Sequence, residues 1–140
     1  MTFMTVGELS RRTAVPVKAL REYHDLGLIY SVGRSAANYR LFDESALWCV
    51  EVIRTLRSLG LTIAEIRELA GAYLGQPSQP IGPQLADLLG AARRRIDRRI
   101  AELQAQRERI KEFEAAYAAD LAGHLAGFQA TDPRSRSAGA

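Results

Sequence analysis

Cationic residues are concentrated in the first third of the chain, where they could bind the phosphates of a nucleic acid. Positions 11 to 40 carry Arg11, Arg12, Lys18, Arg21, Arg34 and Arg40 against Glu22 and Asp25. A local excess of positive charge is typical of a nucleic-acid interface, although the formal net charge of the whole chain is only +3. Because ordinary solvated surfaces can show the same excess, the elements that carry these side chains must decide between the two interpretations.

Two of these cations share one face of a predicted short helix. Lys18 and Arg21 are three residues apart, whereas the side chains of Ala19 and Leu20 point largely elsewhere. A helix that enters the major groove of DNA needs such a cationic face with an apolar face behind it. Tyr23 is either a further DNA contact through its hydroxyl or a half-buried core aromatic, and the periodicity favours neither.

A second group of candidate DNA contacts surrounds a predicted turn. Between positions 28 and 42 the helical period disappears, and turn-forming residues occur at Gly33, Ser35 and Asn38. The predicted hairpin, or wing, brings three side chains to the phosphate backbone, namely those of Arg34, Tyr39 and Arg40. Arg54 and Arg57 on a later helix are weaker candidates, because a solvated helix face is the usual place for such arginines.

Start and stop signals predict four helices and the wing in the first half of the chain. Helix starts are indicated by the capping boxes Thr5 with Glu8 and Thr62 with Glu65, by Pro16, and by Asp43. The second helix should run to about Leu26 before Gly27, and the third should stop at Gly60. The order helix, turn, helix and wing predicts a winged helix-turn-helix domain.

A different pattern follows a linker rich in proline and glycine between Gly75 and Pro83. From about Gln84 to Leu121 apolar residues recur at heptad spacing, and the predicted dimerisation residues are Leu89, Ile96, Leu103, Ile110, Phe113 and Tyr117. A helix roughly 55 Å long, at ~1.5 Å per residue, cannot bury this stripe within so small a chain. The stripe therefore predicts pairing with a second copy, and the alternative is that it folds back on the first domain.

The prediction is a mainly helical chain. It comprises a winged helix-turn-helix domain (1–75), a linker (76–83), a dimerisation helix (84–121) and a short, partly disordered tail (122–140). No run approaches the ~18 to 20 apolar residues of a membrane span, and no apolar leader opens the chain. We therefore expect a soluble, cytoplasmic protein with no membrane partner. It lacks a Ser/His/Asp set, a glycine-rich phosphate loop and a converging carboxylate pair, so we expect no enzyme.

The cysteine and histidine content gives no metal site and no cofactor. Cys49 is the only cysteine, so neither an intrachain disulfide nor a multi-thiolate metal site can form. His24 and His124 are too few to complete a metal site unaided, and each is interpreted as a surface or capping residue. Cys49, beside Trp48, is interpreted as a small buried hydrophobe, with a redox sensor as the alternative.

Several linked motifs between about residues 4 and 73 resemble the MerR-type (mercury-resistance regulator) DNA-binding domain. The Leu-Arg-Tyr-Tyr-Glu signature of that family appears here as Leu20, Arg21, Glu22, Tyr23 and His24. The arginine before the wing is Arg34, the Gly-Tyr-Arg wing tip appears as Asn38, Tyr39 and Arg40, and the helix exit is Leu59 and Gly60. The sequence departs from the family at Glu22, which replaces an aromatic residue, and at Asn38, which replaces glycine.

The resemblance implies an antiparallel coiled-coil homodimer on a pseudo-palindromic operator in double-stranded promoter DNA. It also implies that the protein bends and untwists this DNA so that RNA polymerase can engage. The regions that hold metal-binding cysteines in some relatives lack cysteine here. A small-molecule effector stays open: Tyr117, Leu121, Leu125 and Phe128 either form an apolar wall for it or pack the helix ends. The rival hypothesis is a coiled-coil interaction module without direct promoter control.

Overall fold

The computed structural model describes residues 2–124 and 127–137. Its strands are β1 (Met4–Thr5), β2 (Gly33–Arg34) and β3 (Arg40–Phe42). Its helices are α1 (Val6–Thr13), α2 (Val17–Asp25), α3 (Glu44–Ser58), α4 (Ile63–Gly75), α5 (Gly82–Ala116), α6 (Ala118–Leu121), α7 (Gly127–Ala130) and α8 (Pro133–Ser137). The chain forms two compact units, which divide between residues 93 and 94. The predicted mainly helical fold with a small sheet is confirmed.

Side-chain hydrogen bonds stabilise the start of α1 and the turn that joins α1 to α2. Thr5 Oγ1 accepts from the backbone N–H of Glu8 at 3.3 Å and caps α1. The buried Thr13 hydroxyl donates to Leu9 O at 2.8 Å and accepts from Val15 N at 3.3 Å. Pro16 was predicted to be the first residue of α2. Its ψ of 145° is not helical, so Pro16 is the N-cap residue and α2 begins at Val17.

The predicted wing is a hairpin of β2 and β3, and β3 also pairs with β1. The order β1-β3-β2 is antiparallel throughout, with Met4 opposite Phe42 and Gly33 opposite Leu41. Strand β1 was not predicted from the sequence, because two residues carry no detectable periodicity. Because β1 leads directly into α1, its pairing with β3 holds the base of the wing next to the N-terminus of α1.

The first unit has one hydrophobic core, built from α1 to α4, the sheet and the beginning of α5. Its fully buried members include Met4, Leu9, Leu20, Ile29, Phe42, Val50 and Leu61. The first turns of α5 add buried Ala92 and the partly buried Leu85, Leu88 and Leu89. Leu89, which the heptad spacing assigns to the dimerisation stripe, therefore packs against the N-terminal core. Heptad spacing cannot distinguish packing against the N-terminal core from packing against a second copy, because both bury one face of the helix.

Helix α5 ends at Ala116 and not at Leu121 as predicted. Tyr117 leaves the helical region with φ −123° and ψ 35°, and its ring contacts those of Phe113 and Phe128, with centroids 4.7 and 5.4 Å away. Asp120 Oδ2 also accepts from the backbone N–H of Gln129 at 3.1 Å. These contacts turn the chain back on itself at the end of the helix.

The C-terminal tail contains regular structure where the structure describes it. The short helices α7 and α8 lie in the segment 122–140, for which a partly disordered tail was predicted. Leu125 and residues 138–140 fall outside the described residues. Across the residues that are described, no helix combines the length and the apolar character that a membrane span needs.

Replacing Thr62 by alanine is expected to lower the free energy of unfolding by about 1 kcal/mol. Thr62 Oγ1 accepts from Glu65 N at 3.1 Å, and Glu65 Oε1 accepts from Thr62 N at 2.8 Å, which completes the capping box of α4. Urea titration at fixed protein concentration measures the change. Thr55→Ala is the control, because its hydroxyl only donates back to Glu51 O within α3. Equal stability of the two variants would contradict the capping role.

Candidate nucleic-acid interface

Helix α2 separates into an exposed charged face and a buried apolar face. Lys18, Arg21 and Glu22 are exposed, whereas Leu20 is fully buried and Tyr23 is only 9% exposed. Sequence analysis left Tyr23 open between DNA contact and core packing, and its burial favours the core. The side chains that α2 offers to a ligand are therefore Lys18 and Arg21, with Glu22 on the same exposed face.

The tip of the wing is held by hydrogen bonds within the turn. Ser35 N donates to Tyr39 O at 2.8 Å, and Asn38 N donates to Ser35 O at 2.9 Å. Asn38 takes φ 67°, a left-handed conformation that asparagine adopts more readily than most residues. Arg34 Nη1 donates to Asn38 O at 3.0 Å, so one of its N–H groups braces the turn. Tyr39 and Arg40 remain exposed on the hairpin.

A cleft between α2 and the wing brings four of the eight predicted DNA-contact residues together. Arg21 from α2 lines this cleft together with Arg34, Asn38, Tyr39 and Arg40 from the wing. Among the described lining residues the only carboxylate is that of Asp25. Three guanidinium groups around one concave surface produce a positive potential that attracts phosphate. Lys18 lies outside this cleft and lines a neighbouring one, which it shares with Arg21.

His24 also lines this cleft, a position that was not predicted from the sequence. Its Nδ1 lies 3.3 Å from Arg40 Nη1, and its Nε2 lies 3.3 Å from Ser31 Oγ. The ring meets Phe42 edge to face, with centroids 5.9 Å apart. The only sequence signal for this role of His24 was its position at the end of the family signature on α2, because its partners Ser31 and Arg40 are 7 and 16 residues away in the sequence. His24 thus joins α2, the loop after it and strand β3.

Arg54 and Arg57 have structural contacts that sequence analysis did not predict. Arg54 Nη1 on α3 donates to Thr13 O at 3.0 Å, which satisfies a carbonyl at the end of α1. Arg57 Nη1 donates to Leu61 O at 3.1 Å and holds the turn that leads to α4. These arginines therefore stabilise the turns of the domain, and neither lines the cleft between α2 and the wing.

The second unit presents an exposed apolar stripe along α5. Four aliphatic residues, each about half exposed, form it: Ile96, Ile100, Leu103 and Ile110. Phe113 extends the stripe but also contacts Tyr117 and Phe128. An exposed row of apolar side chains of this kind is typical of an interaction site, and its heptad spacing fits a partner helix.

Cys49 lies half-buried in α3, among core residues. Burial raises the pKa of its thiol, and the nearby Asp43 carboxylate raises it further. A raised pKa leaves less of the thiolate that reacts with oxidants and soft metals. Within residues 2–124 and 127–137, no three His, Cys, Asp or Glu side chains are grouped to hold a metal ion.

Cys49→Ser is accordingly expected to leave DNA affinity within about twofold of the parent, since little thiolate is available for sensing. Stoichiometric thiophilic metals should also leave the affinity of the parent unchanged. Fluorescence-anisotropy titration with and without the metal, or mild oxidant, measures both. A reversible loss of binding on oxidation that disappears in the serine variant would make Cys49 a sensor.

The winged helix-turn-helix fold and its cationic cleft define a DNA-binding protein of the transcription-regulator class. Residues 4–72 match the family model for MerR HTH family regulatory proteins, and residues 48–113 match that for MerR, DNA binding. The chain belongs to the MerR family, as its motifs predicted.

Individual relatives and solved structures agree with this assignment. The chain is 29% identical over 110 residues to an uncharacterized HTH-type transcriptional regulator of Pseudomonas aeruginosa, over 79% of this chain and 82% of the relative. It is 33% identical over 108 residues to the nodulation protein NolA of Bradyrhizobium elkanii, over 77% of this chain but only 45% of that longer protein.

Two solved structures are similar over most of the chain. One is a transcription regulator of Ralstonia metallidurans CH34 in complex with lead(II), with TM-score 0.68 and 28% identity over 81% of this chain and 86% of the other. The other is a MerR family regulator lacking the sensor domain, bound to promoter DNA, with TM-score 0.58 and 20% identity over 88% and 92% of the two chains. The second likeness concerns the fold alone.

Proposed function

We propose that this chain acts as a homodimer that regulates transcription from a pseudo-palindromic promoter operator in double-stranded DNA. The observation that carries the proposal is the cleft between α2 and the wing, where Arg21, Arg34 and Arg40 converge around a concave surface. A recognition helix in the major groove and a wing along the adjacent backbone would use this arrangement directly. The protein would act in the cytoplasm, with access to promoter DNA.

The contacts divide between base reading and phosphate binding. Lys18 and Arg21 on the exposed face of α2 are proposed to meet base edges, because arginine and lysine pair with guanine in the major groove. Arg34, Tyr39 and Arg40 on the wing are proposed to meet phosphate. Tyr23 would support α2 from the core, and Arg54 and Arg57 would support the turns to which they are bonded.

Homodimerisation supports the two-fold operator, because each subunit would read one half-site. The exposed stripe of Ile96, Leu103 and Ile110 offers the required surface, and an antiparallel coiled coil is the proposed geometry. We further propose that binding distorts the promoter so that RNA polymerase can engage, and that the chain has no enzymatic activity. A similar fold occurs in a family regulator bound to promoter DNA.

Genome-wide mapping of binding sites in the natural host tests the proposal. The expected result is a set of inverted repeats that lie between promoter elements, the position that the proposed distortion of the promoter requires. Arg21→Ala is the test variant and should occupy these sites more weakly and with relaxed preference at equal protein level. An unchanged site profile in this variant would contradict base reading by α2. The absence of any promoter-linked site would instead favour the coiled-coil interaction module.

A further inference from the structure

We propose that His24 is a positioning residue that holds the Arg40 guanidinium at the DNA interface through its unprotonated Nδ1. The inference rests on the proposed phosphate contact of Arg40. It assigns a role to His24, which is not among the proposed DNA contacts. Its basis is the chain of short distances from Arg40 Nη1 to His24 Nδ1 and from His24 Nε2 to Ser31 Oγ, both 3.3 Å.

The chemistry of the two partners fixes the tautomer of the imidazole. An arginine side chain has only N–H donors, so Nδ1 of His24 must be the acceptor in its contact with Arg40. A neutral imidazole carries its single proton on the other nitrogen, so Nε2–H donates to Ser31 Oγ. Ser31 can accept this bond because a hydroxyl oxygen has free lone pairs. Each nitrogen thus has one defined role.

The surroundings restrain the imidazole ring from several directions. Its side chain is 23% exposed, and Phe42 on β3 packs against it edge to face. Asp25 Oδ1 lies 4.0 Å from Nδ1, beyond hydrogen-bond distance, and its side chain is 73% exposed to solvent. The other charged groups around this cleft are Arg21 and Arg34.

This arrangement restricts the motion of a long cation without neutralising it. Arginine on an exposed hairpin samples many rotamers, and fixing one of them before binding reduces the entropy lost when DNA arrives. A carboxylate at position 24 could also hold Arg40, but its charge would offset part of the attraction to phosphate. A neutral acceptor leaves the full charge of Arg40 available to the DNA.

Asparagine and glutamine substitutions at position 24 test the roles of the two ring nitrogens separately. The amide oxygen that His24→Asn introduces can replace Nδ1 as the acceptor for Arg40, whereas the longer side chain in His24→Gln carries its amide near the Nε2 position. We expect His24→Gln and His24→Ala to weaken binding to cognate and scrambled duplexes alike by about fivefold, the size of one hydrogen bond. His24→Asn should stay within about twofold of the parent on the same scale.

A double-mutant cycle distinguishes positioning from a general effect on the fold. In an Arg40→Ala background, His24→Ala should cause no further loss of DNA affinity, because its effect acts through Arg40. Circular dichroism and thermal unfolding verify that each variant is folded. Additive losses, or a His24→Asn variant as weak as His24→Ala, would overturn the proposal.

The tautomer is measured without DNA by ¹⁵N NMR of the imidazole in the full-length protein at about pH 8, where histidines are generally neutral. We expect protonated Nε2 and unprotonated Nδ1 in the parent, with a mixture of tautomers in Arg40→Ala. A protonated Nδ1 in the parent would overturn the inference, whatever the effect of Arg40→Ala on DNA affinity. The expected tautomer, combined with an Arg40→Ala variant of parental DNA affinity, would instead place the failure in the proposed function of Arg40.

Discussion

Replacing Leu103 and Ile110 by aspartate is expected to convert the proposed homodimer into monomers and to abolish operator binding. Both side chains are exposed on the α5 stripe, at 48% and 56%, and would be buried against a second copy. Full burial of an exposed Leu or Ile side chain contributes about 1.5 to 3 kcal/mol, and because these two are already about half covered, each would contribute roughly half of that. Each substitution occurs twice per dimer, so the total loss is of the order of 3 to 6 kcal/mol, and half-site affinity alone would not sustain binding.

Sedimentation equilibrium at several concentrations measures the change in assembly, and anisotropy titration measures operator binding. The matched control is Gln104→Asp with Lys111→Asp, which introduces aspartates at the same seven-residue spacing but one position away from the stripe. This control should remain dimeric. An unchanged dimer in the Leu103 and Ile110 variant would require another surface to hold the chains together.

Arg21→Ala is expected to lose about 1 to 3 kcal/mol of affinity for the cognate operator and to relax preference at one or two positions per half-site. Arg21 is exposed on the α2 face that would enter the major groove. Arg40→Ala should instead weaken all sequences similarly and lower the salt slope by about one ion, because a phosphate contact carries no sequence information. The two variants should therefore differ in kind as well as in size.

Titrations of cognate and scrambled duplexes at several salt concentrations test both variants together. Arg67→Ala on α4 is the control for loss of one exposed positive charge, and it should change neither preference nor slope appreciably. If Arg21→Ala weakened both duplexes equally and lowered the salt slope, α2 would be anchoring the backbone. Base reading would then have to be reassigned to Lys18.

The helices and the wing of the first unit were predictable because their signals are local. Thr62 with Glu65 and Asp43 are immediate neighbours of the helices that they cap, and Asn38 lies in the turn that it permits. The cationic residues of the cleft were also found, since they follow from the α2 and wing patterns. What joins α2 to the wing was not found, because His24 and Arg40 are 16 residues apart.

Packing between elements accounts for the differences from the sequence prediction. Leu89 has the spacing of a coiled-coil residue, but the first turns of α5 pack against the N-terminal core. The end of α5 depends on ring contacts of Tyr117 with Phe113 and Phe128, and Phe128 belongs to a later helix. Arg54 reaches a carbonyl 41 residues earlier in the chain. No periodicity within one segment records such contacts.

Methylation interference on an operator fragment tests whether a dimer reads DNA through two copies of α2. Methylation of guanine N7 blocks the major-groove edge that arginine and lysine recognise. Two copies of α2 should give two clusters of interfering guanines, related by a two-fold axis, with centres about one helical turn or a multiple of it apart. Arg21→Ala should lose part of the interference in both clusters equally. A single cluster, or binding that guanine methylation leaves unchanged, would contradict reading by a dimer through two copies of α2.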